Sequence, residues 1–347
     1  MTTERRVVAG RKFVVHSHPG SASSRSAPGS TIQVWYPQAY AHAAPSDRGR
    51  AVAYGDAVTE PTEIRQNFVL TLACPDRVGI VHAVSGLLAE RGYNIVESKQ
   101  FGDRESGRFF MRVQVEALGR AASDHVTTEA LETLAREFDM DLRWHNVAER
   151  PAVLVLVSRF GHCLNDLLYR YQVGSLPVRI RLVVSNHPDF EELALSYGVA
   201  FRHLPVTRQT KAAQESQILE LVEEHEVDLV VLARYMQILT PETTARLAGK
   251  AINIHHGLLP SFKGANPYRQ AYDRGVKVIG ATAHYVTEDL DEGPIIEQAV
   301  QWVDHAMSPE QLAVVGRDIE CQALARAVGW HAEHRVFLNG ARTVVFR

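Results

Sequence analysis

Residues Ala152–Val157 read AVLVLV, six apolar side chains in a row and the longest unbroken apolar run in the chain. A strand with one wet face alternates polar and apolar residues. One that is apolar throughout has to be covered on both faces, as strands are in a parallel sheet between two layers of helices. Six residues also fall far short of the roughly 20 that a membrane-crossing helix needs. The residues that follow have the matching rhythm. Helices are expected over Gly161–Tyr171, Asp189–Tyr197 and Thr210–His225, the last with Ile218, Leu219 and Val222 turned inward. Strands are expected over Ile180–Val184, Ala200–His203, Asp228–Ala233 and Lys250–Ile254, with a short helix at Pro241–Leu247. Strands over Val276–Val286 and Ile295–Val300, a helix over Pro309–Ala327 and a hairpin over Arg335–Phe346, turned at Asn339-Gly340, complete the block. This alternation indicates an α/β domain with a mostly parallel sheet.

A different pattern precedes it. Strands are expected at Phe68–Ala73, Tyr93–Phe101, Arg108–Val115 and Asp141–Val147. Helices are expected at Val78–Arg91, with Val78, Val81, Val84 and Leu87/Leu88 at helical spacing, and at Thr127–Phe138, with Leu131, Leu134 and Phe138 on one face. The order βαββαβ is a supersecondary unit that forms a ferredoxin-like sheet with two helices on one side. Residues 1–66 differ again. From His16 to Asp47 they are dominated by Gly, Ser, Pro and Ala, with no sustained period, and cannot bury enough apolar surface to offset their ordering entropy. The expectation there is a disordered extension or a start codon placed too far upstream. An Arg- and Ser-rich, acid-poor transit peptide stays open as a second reading, since five basic side chains but a single acid, Glu4, fall in the first 46 residues. The division of the 347 residues is therefore 1–66, 67–150 and 151–347.

Composition excludes several functions. Lys and Arg number 37 against 40 Asp and Glu, a net charge of −3. Nucleic-acid or acidic-membrane binding normally calls for a basic excess. Cys74, Cys163 and Cys321 are odd in number and far apart, without CxxC or zinc-type Cys/His spacing, which suits reduced thiols in the cytoplasm. HExxH is absent, so a metal hydrolase has little support and no metal is expected. The turn after AVLVLV, Ser158-Arg159-Phe160-Gly161-His162, is not GxGxxG, and no GxxxxGK[ST] occurs. Neither a dinucleotide site nor an NTP cradle is indicated.

Chemistry collects at the carboxyl ends of parallel strands. Two segments fall there: Asn253-Ile254-His255-His256-Gly257-Leu258-Leu259-Pro260-Ser261-Phe262-Lys263-Gly264 and Asp289-Leu290-Asp291-Glu292-Gly293-Pro294-Ile295-Ile296. Asn253 and His255, two apart on extended backbone, face the same way. An amide donor beside an imidazole suits stabilisation of an oxyanion. Asp291, just before a Gly-Pro turn, could orient a water or accept its proton. Each segment also has a plainer reading, as loop hydrogen bonding and as a turn former.

In combination these segments resemble the folate-dependent formyltransferase family, over residues 151–347. The resemblance implies a Rossmann-like fold, catalytic Asn253, His255 and Asp291, and a folate pocket along Ala233, Arg234, Tyr235, Met236, Ile238 and Leu239 and the loop before Asp291. Gly257 departs from the family pattern, which has Ser or another small polar residue there. Residues 67–148 resemble the ACT domain. This implies a ligand site at Gly79 in CPDRVGIV and at Gly92-Tyr93-Asn94, a free amino acid as effector, and a homo-oligomer, with plain dimer contact as the alternative to effector binding. The two together, with IGATAHYV at 279–286 and GRDIE at 316–320, resemble the formyltetrahydrofolate deformylase family. That family implies hydrolysis of 10-formyltetrahydrofolate to formate and tetrahydrofolate in one-carbon and purine metabolism. The folate is the substrate and no cofactor is implied. Transfer of the formyl group to an amine such as glycinamide ribonucleotide is the competing reading, and a non-enzymatic folate or amino-acid sensor the third. A transferase of this fold would hold its acceptor phosphate on a Gly/Ser/Asn-rich turn. Here that turn is the bulky Arg159-Phe160-Gly161-His162-Cys163, which leaves water as the default acceptor.

Overall fold

The computed structural model describes residues 66–117, 124–261 and 267–347. Residues 1–65, expected above as a disordered extension, lie outside it, as do 262–264 of the loop motif. The first block is β1 (Asn67–Pro75), α1 (Ile80–Glu90), β2 (Tyr93–Asp103), β3 (Arg108–Ala117), α2 (Asp124–Phe138) and β4 (Asp141–Asn146). Its sheet has the order β2-β3-β1-β4 and is antiparallel throughout. Leu70 and Leu72 of β1 and Met111, Val113 and Val115 of β3 join Ile80, Val84, Leu88 and Leu131 in one core. The expected face of α1 is corrected. Gly79, in the left-handed region at φ 100°, starts the helix, so Val78 lies before its first turn and is fully exposed. The buried stripe is Ile80, Val84 and Leu88, spaced by four.

The second block is β5 (Ala152–Val157), α3 (His162–Gln172), β6 (Arg179–Ser185), α4 (Glu191–Ser196), β7 (Ala200–His203), α5 (Lys211–Glu224), β8 (Leu229–Leu232), α6 (Pro241–Arg246), β9 (Ala251–His255), α7 (Pro267–Asp273), β10 (Val278–Tyr285), β11 (Ile295–Trp302), α8 (Pro309–Ala332), β12 (Val336–Asn339) and β13 (Arg342–Val345). The large sheet has the order β11-β10-β9-β8-β5-β6-β7. From β9 to β7 the neighbours run parallel, while β10 is antiparallel to both β9 and β11. The apolar run is covered as its composition requires: Val153, Val155 and Val157 enter one hydrophobic cluster, and Leu154 and Leu156 enter the other. The chain leaves β5 toward β6 and β7, then returns to β8 on the opposite side. The crevice at the carboxyl end of β5 is therefore the switch point of the sheet, and the loops after β5, β8 and β9 meet there.

Helix α7 was not anticipated, and α8 runs five residues past its expected end, because Val328 and Ala332 continue its buried face. A capping box between Ser308 and Gln311 starts α8. Its 24 residues span about 36 Å. Gly316, within it, is required by a close approach: a Cβ there would lie 2.1 Å from the Tyr268 ring. The end of the chain folds back on the first block. Phe337, Val344 and Phe346 cover Ala73 and Phe110 on the sheet face away from α1 and α2. Beside them Arg112, 2% exposed, pairs with Glu97 and donates to the Glu333 carbonyl just after α8.

Candidate active site

The last residues of β9 carry Asn253 and His255, and the antiparallel register of β10 sets His284 opposite Asn253 and Thr282 opposite His255. Asn253 Nδ2 lies 3.3 Å from His284 Nε2. His284 Nδ1 lies 2.8 Å from the Tyr285 carbonyl oxygen. A carbonyl can only accept, so Nδ1 carries a proton and, in the neutral ring, Nε2 accepts from the Asn253 amide. Asp291 closes the group, with Oδ2 3.2 Å from His255 Nδ1 and Oδ1 3.7 Å from His284 Nε2. Burial works to raise the Asp291 carboxyl, but the His255 imidazole outweighs it and holds it below the ordinary carboxylate range.

The loop geometry explains the Asp-x-Gly-Pro spacing. Asp291 occupies the left-handed region at φ 58°. Gly293 lies so close to β10 that a Cβ would sit 1.7 Å from the Tyr285 carbonyl oxygen, and the Tyr285 amide donates to Pro294 O at 3.0 Å. Across the site, Thr282 Oγ1 donates to Gly257 O at 2.8 Å and accepts from Leu259 N at 3.1 Å. The loop is therefore tied down through the backbone of Gly257, with no side chain needed at that position.

Asn253, His255, His284 and Asp291 line a cavity of about 360 Å³, as do Arg234, Tyr235, Met236, Ile238 and Leu239 after β8. Ala233 is a correction: its side chain lies in the core, 0% exposed. Met236 and Ile238 are exposed, whereas Tyr235 is buried with its hydroxyl bonded to Gln214. The loop is fixed at Met236, whose amide donates to Ser158 Oγ in the turn after β5. Residue spacing alone gives His284 no role. The signal is a histidine inside the run ATAHYV, but its partners depend on a strand pairing that spacing does not encode.

A second polar cluster adjoins the cavity. Glu320 of α8 accepts from Tyr268 OH at 2.6 Å and contacts His162 Nε2 at 2.8 Å and Arg234 Nε at 3.3 Å. Burial opposes its ionisation, but His162, Arg234 and Tyr268 hold the carboxyl low. His162, Cys163 and Glu320 are close enough to share an ion, with ligand atoms within 4.8 Å. The donor set does not fit one: the carboxylate is already engaged, an arginine cation stands beside it, and burial pushes the Cys163 thiol well up. In the first block, Gly79 begins α1 and Asn94 is exposed on the edge strand β2.

Fold and site together define the class: a formyl transferase domain, matched over residues 152–328, behind an ACT domain, matched over residues 68–136. A formyltetrahydrofolate deformylase from Corynebacterium sp. (strain P-1) is 51% identical over 281 residues, covering 80% of this chain and 98% of that protein. The one from Escherichia coli (strain K12) is 40% identical over 280 residues, covering 81% and 98%. The crystal structure of formyltetrahydrofolate deformylase from Burkholderia mallei superposes with a TM-score of 0.78 at 54% identity, covering 81% of this chain and all of that one. This chain belongs to the formyltetrahydrofolate deformylase family. Glycinamide ribonucleotide transformylase 1 from Symbiobacterium toebii, at 32% identity and a TM-score of 0.54, covers 57% of the chain.

Proposed function

We propose that this chain is a hydrolase that converts 10-formyltetrahydrofolate and water to tetrahydrofolate and formate. The observation that carries the reading is the convergence of Asn253, His255 and Asp291 on one cavity, of a size suited to a small organic ligand. The folate lies along Arg234–Leu239, with its N10-formyl group at the Asn253 end. Asp291 orients the attacking water and, with His255, carries its proton. As the formyl carbon becomes tetrahedral, its oxygen gains negative charge, which Asn253 and His255 stabilise by hydrogen bonding. Asn253 has two amide hydrogens, so one can bond His284 while the other serves the oxyanion. The C–N10 bond then breaks, and N10 takes the proton. Side-chain donors suffice for this polarisation, and the reading calls on no metal or cofactor.

Residues 151–347 form the catalytic part in this reading, and 67–150 a regulatory part that binds a free amino acid near Gly79 and Asn94 and pairs with a second copy of the chain. The cytoplasm is the compartment most consistent with three free thiols. Among the described residues, no helix is long and apolar enough to cross a membrane. The amine-transfer reading is disfavoured by the turn after β5, where Phe160 and His162 stand in place of small residues.

The deciding assay measures formate released from 10-formyltetrahydrofolate, with and without glycinamide ribonucleotide. Formate without the acceptor supports hydrolysis. Loss of substrate only in its presence would establish a transferase, and no turnover in either case a sensor. Asp291→Ala is expected to lower kcat by about 10²–10⁴-fold, the range for a positioned acid–base group, with the fold retained by circular dichroism.

A further inference from the structure

Arg234, Met236 and His256 line two cavities at once. One, of about 360 Å³, contains Asn253, His255 and Asp291. The other, of about 450 Å³, is bounded by Phe160, His162, Tyr268 and Glu320. These three residues form a wall between the hydrolytic centre and a second chamber. That chamber lies against the turn after β5, at the switch point of the sheet, where open α/β folds make room for a ligand.

The wall is held from several directions. The Arg234 side chain is buried at 9% relative exposure, with Nε in a charge contact 3.3 Å from Glu320 Oε2 that lacks hydrogen-bond geometry and its guanidinium carbon 5.4 Å from the centre of the Phe160 ring. Its backbone is in the left-handed region at φ 64°, a conformation that favours glycine. Glu320 is itself fixed by His162 and Tyr268, and Tyr268 fits against α8 because residue 316 is glycine. Burial, reinforced by the Arg234 charge, pushes His256 down to about 3. The wall therefore presents a neutral imidazole and a fixed cation.

We propose that Arg234, anchored by Glu320, is a specificity-determining residue that reserves the formyl carbon for water by closing the passage to the second chamber against amine nucleophiles. The inference rests on the hydrolase reading. With the wall open, an amine nitrogen attacks the formyl carbon, the C–N10 bond breaks, and N10 takes the proton that the amine loses. The products are an N-formylamine and tetrahydrofolate. With the wall closed, water takes the place of the amine and the products are formate and tetrahydrofolate.

The test uses the full chain, 10-formyltetrahydrofolate and glycinamide as the amine probe, with formate and N-formylglycinamide both quantified. Formate release by the wild type without amine tests the hydrolase reading separately. Arg234→Gly suits the backbone conformation. The double variant Arg234→Gly/Glu320→Gln also removes the carboxylate left without its cation. In both, the ratio of N-formylglycinamide to formate is expected to rise at least about tenfold over wild type, the lower end of what a reshaped pocket contributes to discrimination. Arg317→Ala, which enlarges the chamber at a residue outside the wall, is expected to keep the wild-type ratio. An unchanged ratio in the Arg234 variants, an equal rise in Arg317→Ala, or loss of both products in folded Arg234 variants would each overturn the proposal.

Discussion

His284 contacts two members of the proposed catalytic group, Asn253 at 3.3 Å and Asp291 at 3.7 Å, and is itself oriented by a backbone carbonyl. In the proposed mechanism it is a positioning residue. His284→Ala is expected to lower kcat by about 10²-fold, the effect of misplacing a reacting group by an ångström, with a smaller change in KM. His284→Gln, whose side-chain oxygen can still accept from Asn253, should recover part of the loss in steady-state kinetics. Equal kcat in the two variants would show that the hydrogen bond to Asn253 does not matter. At this scale, the shared direction of Asn253 and His255 is readable because they are two positions apart on one strand, whereas placing Asp291 beside them rests on the family resemblance. His284 and Glu320 could not be read in the same way, since 31 residues separate His284 from Asn253 and 158 separate Glu320 from His162. Their meeting depends on strand register and helix packing.

Among the elements, the turn between β10 and β11 depends most on a single atom's worth of space. Gly293→Ala would place a methyl group 1.7 Å from the Tyr285 carbonyl oxygen, and backbone cannot yield as a flexible side chain would. The turn must open and carry Asp291 with it. The expected result is a loss of activity comparable to that of Asp291→Ala, together with destabilisation of about 1–3 kcal/mol, the range for overpacking, measured by denaturant unfolding. The strands of the parallel sheet were readable because burial on both faces leaves a plain apolar signature, as in AVLVLV. Helix α1 was harder: Val78 and Val81 share helical spacing with Val84, yet the left-handed Gly79 starts the helix later and turns a different stripe inward. Helix α7 is short and its apolar content too slight to announce it.

For the whole molecule, the junction between the ACT sheet and the catalytic block is rich in histidines held neutral. His145 and His334 stack with ring centres 3.6 Å apart. Burial pushes them down to about 4 and about 3 respectively, helped by nearby positive groups. Burial also pushes His331 down to about 4, against a weaker pull from Asp228, and its Nδ1 lies 2.8 Å from the Tyr285 hydroxyl. Between the unfolded value near 6.5 and these folded values, the unfolded chain binds more protons, so stability falls as pH falls. Each pKa unit corresponds to about 1.4 kcal/mol, enough for a few kcal/mol to be lost between pH 6.5 and pH 4. His331→Asn, which keeps a polar partner for Tyr285, is expected to flatten the pH dependence of the unfolding free energy over that interval. An unaltered slope would place the acid sensitivity elsewhere. None of this junction was evident in the sequence, because His145 and His334 lie in different blocks and 46 residues separate Tyr285 from His331.

The return of β12 and β13 to the first sheet has a consequence for how the protein is made. A ribosome delivers residues 67–146 long before 336–346, so the early sheet emerges with α1 and α2 for one face and without β12 and β13 for the other. Phe110 and Arg112, 0% and 2% exposed in the folded protein, meet Phe337, Phe346 and the Glu333 carbonyl only once that stretch has emerged. A nascent chain stalled in α8 would lack that cover, and so would a variant from which residues 336–347 are removed.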